Sequence, residues 1–325
     1  MSDYATLESR MADKEVIILD GAVGTQLQAM GVPMSKDAWA ALALEGYPST
    51  VRRLHEDYIH AGADVITTNT YASARHNLEP LGLGDKTAEL NLRAVMLAQD
   101  ARDRHAKARP VYIAGSVSNF GLLAGADQHS RDFYQTLFKH RSETSEAQAK
   151  ANLREQAETL AAAGIDFMLA EATGGTTHRK WVVEACVATG LPVWVGFKCR
   201  QDEGEAAVKV GYRGDEALDD VFDEVMALGG ALVTVFHSPV EATRAALPIV
   251  KDKWSGPLGI YPEAERRDYV AAYRDASVPT RVTPADFAQF AKDCVDQGVQ
   301  VIGGCCGIEL DYIRPLRDAL PTHIA

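Results

Sequence analysis

The sequence has no run of ~18 apolar residues, so no membrane-crossing helix is expected. Its opening, MSDYATLESRMADKEVIILD, carries acidic side chains and lacks the apolar stretch of a secretory signal. Positive charge is in short supply: 33 Lys and Arg face 45 Asp and Glu, a net −12. That balance argues against a reader of nucleic-acid backbones, while its field favours cationic small molecules. Cysteine is scarce, at five residues. An odd number with two adjacent makes a poor disulfide framework. It fits a reducing, cytoplasmic compartment, where thiols serve metals or catalysis. No proline-rich or glycine/serine-rich linker divides the chain, so one domain over residues 1–325 is expected.

What is there is a recurring unit. Eight short apolar runs alternate with amphipathic stretches: EVIILD (15–20), DVITTNTY (64–71), PVYIAGSV (110–117), DFMLAEA (166–172), PVWVGFKC (192–199), ALVTVFH (231–237), GPLGIY (256–261) and VQVIGGCC (299–306). Nearly continuous, β-branched runs suit parallel strands covered on both faces. Between them, helical stripes recur: Val51, Leu54, Tyr58 and Ile59 behind the cap candidates Ser49 and Thr50; Leu153, Ala157, Leu160 and Ala161; Leu218, Val221, Phe222 and Val225; and Phe287, Phe290, Ala291 and Cys294 behind Thr283-Pro284. Eight such units predict an α/β protein of the (β/α)8 barrel type. A doubly wound sheet is the alternative, but no G-x-G-x-x-G follows the first run.

Barrel chemistry sits at the C-terminal ends of the strands, and polar residues gather there: Asp20, Asn69-Thr70-Tyr71, Ser116, Glu171, Cys199, His237, Tyr261 and Cys305-Cys306. The sharpest local signal is Gly303-Gly304-Cys305-Cys306-Gly307. Adjacent side chains of a strand point to opposite faces, so two neighbouring thiols share a metal only where the chain leaves strand geometry. The surrounding glycines supply that freedom. Two thiolates suit Zn²⁺; two core thiols in a tight turn are the other reading. His237 and Cys199 are the candidates for a third ligand. Cys186 and Cys294 fall on apolar stripes and read as core.

The blocks LDGAVGTQLQAMG (19–31), ADVITTNTYAS (63–73), AGSVSNFG (114–121), DFMLAEA (166–172), LGIYPEAE (258–265) and VIGGCCG (301–307) together resemble the homocysteine S-methyltransferase family. These are zinc-dependent thiol methyltransferases that include the betaine- and S-methylmethionine-using enzymes. The resemblance spans nearly the whole chain and implies a (β/α)8 barrel. It implies a zinc held by one cysteine after the sixth strand and by the pair Cys305 and Cys306. Here the sequence departs: VFH followed by SP stands where the family reads I/V-N-C. His237 is then the implied third ligand, with Ser238 as the other register. Histidine replaces a thiolate readily at zinc, at the cost of one negative charge in the site.

The resemblance also implies that Asp20 and Gly21 approach an amino-acid substrate and that Glu171 holds its α-ammonium. On the residues themselves, a buried Glu171 needs a cationic partner, either a barrel lysine or arginine or a ligand. Tyr71 and Trp39 match aromatic positions around the methyl donor, where cation–π attraction suits an onium group. Asn69 and Tyr261 lie in matching blocks without a separable role. The implied reaction moves a methyl from a sulfonium or quaternary ammonium donor to a thiol such as homocysteine, with residues 202–214 and 263–282 as candidate lids. Changed zinc chemistry, such as a metal-bound water, and a non-catalytic amino-acid binder are the rivals. The expected partners are small molecules, with neither nucleic acid nor membrane, and a homo-oligomer is compatible with the sequence.

Overall fold

The computed structural model describes residues 4–105, 109–126, 144–212, 214–264 and 282–324, with 128, 131, 132 and 135. The apolar runs become strands β1 (Ile17–Ile18), β2 (Val65–Thr67), β3 (Tyr112–Ser118), β4 (Phe167–Ala172), β5 (Val193–Gln201), β7 (Leu232–Pro239), β8 (Leu258–Glu263) and β9 (Val301–Ile302), with an additional β6 (Val208–Val210). The eight pair in parallel in the order β1-β9-β8-β7-β5-β4-β3-β2. A bridge from Leu19 to Val65 brings the first and last members of that order together. This is the (β/α)8 barrel expected from the sequence.

Alternation along the strands separates two packing layers. Phe167, Leu169, Trp194, Leu232, Phe236 and Tyr261 pack in one cluster within the barrel. Met168, Val193, Val195, Val233 and Ile260 pack with the helices in the other. A helix at Tyr4–Ala12 feeds Tyr4, Leu7 and Met11 into the inner cluster, and the Trp194 indole N–H donates to the Tyr4 hydroxyl at 3.1 Å. At this N-terminal end Asp64 is ringed by Arg10 at 3.1 Å, Arg109 at 3.3 Å and Arg317. It also accepts the Ile18 N–H at 2.9 Å.

The helical stripes are buried on the helices Glu146–Ala162, Leu218–Met226 and Pro284–Val295, although Ala161 sits at a half-buried edge. Thr283 and Asp286 form a reciprocal capping box. The expected caps Ser49 and Thr50 do not cap: that helix begins at Pro48 behind Tyr47, with no side-chain cap. Proline's fixed φ and missing N–H serve there instead. Residues 202–214, expected as a lid, hold β6, which pairs antiparallel with β5 so that Val210 lies opposite Cys199. Of the second lid candidate, 263–282, Glu263 ends β8, while 265–281 lie outside the described residues. No helix among the described residues is long and apolar enough to cross a membrane.

Candidate metal and substrate site

Strand β7 decides the register that the sequence left open. In a regular strand with Phe236 facing inward, the next side chain faces the helices. The β7–β8 ladder shifts between Phe236 and Pro239, and His237 adopts φ 45°. A bulge re-aims a side chain in this way, and histidine enters the left-handed region more readily than most residues. The buried imidazole then lies with Nδ1 3.1 Å from Cys305 Sγ and Nε2 against the Tyr212 hydroxyl.

The cysteine turn is fixed from several sides. The Cys305 N–H donates to the Pro262 carbonyl at 2.8 Å, the Ala264 N–H to the Cys306 carbonyl at 3.0 Å, and the Gly307 N–H to the Thr25 hydroxyl at 3.2 Å. Gly307 has φ 77°, which uses glycine's freedom. Gly304 serves a different need: a Cβ there would stand 2.2 Å from Ile308. The Sγ atoms of Cys305 and Cys306 lie 3.9 Å apart. Donor atoms of His237, Cys305 and Cys306 all fall within 4.8 Å of one another. The neighbouring Cys306 thiol, and then burial, push the Cys305 thiol well above its ordinary pKa.

The competing ligands do not reach this cluster. Cys199 is buried in the helix-side layer, 3.7 Å from the Phe197 carbonyl, and burial pushes its thiol up to about 11. The Ser238 hydroxyl accepts the Cys199 N–H and donates to the Phe236 carbonyl, both at 2.8 Å. Cys186 and Cys294 are buried in helices as expected.

Three nearby residues were missed in the sequence. Glu263 places Oε2 3.4 Å from His237 Nδ1. It continues the alternation of Gly259 and Tyr261 beyond a run that Pro262 made look finished. Lys198 is buried, donates to the Cys199 carbonyl at 3.3 Å and lies 5.1 Å from the Tyr212 ring centre. An inward-facing lysine two residues after Gly196 was a readable signal. Tyr212 had none, because only the β5–β6 hairpin brings it to His237.

Two carboxylates lie at the same end of the barrel. Asp20 accepts the Thr67 N–H at 2.7 Å and the Thr67 hydroxyl at 2.8 Å. Glu171 accepts the Ser116 hydroxyl. Burial pushes each carboxyl up to about 7; the Thr67 and Ser116 hydrogen bonds oppose this, and the Glu171 charge adds to the rise at Asp20. Among the described residues, no lysine or arginine pairs with either. The barrel cation that the sequence allowed for Glu171 is not among them.

The other substrate candidates are placed more variously. A Cβ on Gly21 would stand 2.5 Å from the Ile308 carbonyl oxygen, so glycine there permits close packing. Trp39 is buried with φ 43°, its indole against Gly24 in the first turn of the helix Val23–Ala29. Tyr71 is half-buried, its ring 5.6 Å from that of Phe120. The Asn69 side chain donates to the Ala40 carbonyl at 3.0 Å, which ties the Trp39 loop to the end of β2.

A parallel barrel with an imidazole, two thiols and two buried carboxylates at its C-terminal mouth has the layout of a barrel enzyme. The family model for homocysteine S-methyltransferases matches residues 17–320, and the chain belongs to that family of methyltransferases. It is 26% identical to a selenocysteine methyltransferase of Astragalus bisulcatus, across 94% of this chain and 92% of the relative. It is equally identical to the homocysteine S-methyltransferase of Escherichia coli K12, across 94% and 96%. The fold matches the metallated form of the E. coli homocysteine methyltransferase MmuM with a TM-score of 0.75, at 22% identity over 96% of this chain and 99% of that one.

Proposed function

We propose that this protein is a zinc-dependent S-methyltransferase that moves a methyl group from a sulfonium or quaternary ammonium donor to a thiol, homocysteine giving methionine. The observation that carries the reading is the convergence of His237 with the Cys305 and Cys306 thiols, beside carboxylates that no lysine or arginine among the described residues pairs with. One nitrogen and two sulfurs are a donor set that zinc accepts, and a catalytic zinc keeps a position open beyond three protein ligands. Zinc bound there supplies Lewis-acid activation of the substrate thiol, so that a thiolate is the nucleophile at neutral pH.

The remaining work falls to the chain. Glu171 and Asp20 receive the acceptor's ammonium group, and in doing so gain the positive charge that burial has denied them. The Trp39 and Tyr71 rings offer faces to the onium donor. The Tyr212 hydroxyl fixes the imidazole by holding Nε2, which leaves Nδ1 for the metal. Thr67 and Ser116 orient the carboxylates. Catalysis then rests largely on holding thiolate and methyl carbon in line at near-attack distance.

The test crosses zinc-loaded protein with several onium donors and several acceptors, homocysteine and selenocysteine among them, and reads the products by mass spectrometry. Methylated acceptor formed only with donor and protein together is expected. No methylation from any donor, with the metal bound, overturns the proposal.

A further inference from the structure

Two fully buried amides stand on helix faces built largely of leucine, alanine and valine: Asn91 on the helix Thr87–His105 and Gln156 on the helix Glu146–Ala162. Burying an amide is costly unless its hydrogen bonds are recovered. Both recover them on one short segment, the turn that follows β2. The Gln156 amide donates to the Thr70 carbonyl at 2.6 Å and also reaches the Ser73 hydroxyl at 3.2 Å and Asn91 Oδ1 at 3.4 Å. The Asn91 amide donates to the Ser73 carbonyl at 2.9 Å and to the Thr87 carbonyl at 2.8 Å. The Ser73 hydroxyl lies 2.7 Å from Asn91 Oδ1 and 3.0 Å from the Thr70 carbonyl oxygen. Thr70 and Ser73 are themselves fully buried.

We infer that Gln156 and Asn91 are positioning residues for the methyl donor: from outside the barrel they hold the segment Thr70–Ser73, and through it the Tyr71 ring. This rests on the reading of Tyr71 and Trp39 as the faces that meet the onium group. The first argument is what the segment carries. Tyr71 stands between the two residues that the amides grip. Its carbonyl accepts the Ser118 hydroxyl at 2.5 Å, and that hydroxyl oxygen accepts the Phe120 N–H at 3.1 Å. The Thr70 hydroxyl donates to the Ser116 carbonyl at 2.7 Å. Asn69, one residue before the segment, is bonded to the Ala40 carbonyl beside Trp39. Both candidate rings therefore hang on this turn. Attraction between a cation and a ring face needs a separation within about 6 Å, so a displaced turn weakens it. The acceptor carboxylates are held differently: Thr67 and Ser116, which bond Asp20 and Glu171, belong to β2 and β3 themselves.

The second argument is energetic. Gln156 Oε1 is buried without a hydrogen-bond partner, so the amide is only partly compensated. Its removal would orphan none of the groups it touches. The Thr70 carbonyl keeps the Ser73 N–H at 3.3 Å, and Asn91 Oδ1 keeps the Ser73 hydroxyl. Exchanging such an amide for an apolar side chain of similar length is close to neutral for stability, or favourable. The fold alone therefore has little need of an amide at 156. The turn does, because the Gln156 bond to Thr70 is the one that crosses from the outer helix layer to the residue next to Tyr71.

The experiment compares the zinc-loaded wild type with Gln156→Met, Ser73→Ala and the double variant, using the onium donor that the wild type accepts. Gln156→Met should raise KM for the donor about fivefold or more, the scale of one hydrogen bond, while KM for the acceptor and the melting temperature stay at wild-type values. Ser73→Ala should shift the same constant. The double variant should fall short of the product of the two effects, because both act on the Thr70 turn. Amide hydrogen exchange of residues 69–73 should quicken in each variant, a readout independent of turnover. A donor KM within about twofold of wild type in Gln156→Met, below the worth of a hydrogen bond, overturns the inference, as does unchanged exchange in 69–73. Donor and acceptor KM rising together with a fall in melting temperature also overturns it, because the amide is then only part of the scaffold. A wild type that takes a methyl group from no onium donor overturns the donor reading and this inference with it.

Discussion

Asp64 and the pair Asp20–Glu171 are buried acids of one barrel, yet they live under different rules. At the N-terminal end, three arginines from separate parts of the chain surround Asp64, and the Ile18 N–H fills a further lone pair. At the C-terminal mouth, Asp20 and Glu171 have hydroxyl and N–H donors but no arginine or lysine among the described residues. A compensated buried charge knits a scaffold together. A buried acid left without a cation makes the folded state less stable and is tolerated where a ligand supplies the charge. The division matches the general rule that the two faces of such barrels serve stability and chemistry separately.

Changes at the two ends should therefore separate cleanly. The largest effect is expected at the thiol pair. Cys305→Ala should lower zinc affinity by more than about 100-fold, beyond the loss typical of residues that only support ligands, with little change in melting temperature of the metal-free protein; metal content after dialysis reads this. Next comes Asp64→Asn. It should destabilise the protein by about 3 kcal/mol, the low end for breaking a buried ion pair, because the arginines are partly exposed and can hydrate. Denaturant unfolding measures it, and KM for the thiol should not move. A large KM change without loss of stability would break the comparison.

Glu171→Gln should act in the opposite sense. Acceptor binding should weaken by about 2 kcal/mol, roughly 30-fold, as expected for a lost charge-assisted hydrogen bond. The ligand-free protein should be at least as stable as the wild type at pH 8, because a buried charge has gone. The last effect is in pH dependence. The Asp20 and Glu171 carboxyls rise from 3.8 and 4.5 to about 7, so the folded state holds protons that the unfolded chain releases. Their contribution is intact below pH 4, falls as pH rises toward 7 and then levels off. Acceptor affinity should rise over the same interval, since the ammonium group needs the ionised forms. Unfolding curves of the wild type and of Asp20→Asn/Glu171→Gln, compared from pH 4 to 8, isolate this; parallel curves would remove the two groups from the account.

Some of the site was legible because its signals are local. Asp20 and Glu171 end apolar runs, and the paired cysteines sit among glycines, so periodicity places all of them at strand ends. Other features were not legible, for three physical reasons. Helix starts depend on which residue leaves extended geometry, so Pro48 displaced Ser49 and Thr50. Asn69, polar and at a strand end like the others, spends its side chain on the Ala40 carbonyl, a partner distant in sequence. Strand ends are blurred by proline, so Glu263 was hidden behind Pro262.

Sequence by itself determined the eight-unit barrel and the residue types at its mouth, because the spacing of apolar side chains decides which faces are buried and each unit is local. Only the tertiary structure decided that His237, and neither Cys199 nor Ser238, meets the thiols. That choice depends on a ladder shift and a left-handed backbone in β7. It also depends on Tyr212 and Glu263 arriving from a hairpin and a neighbouring strand, whose positions no local pattern encodes.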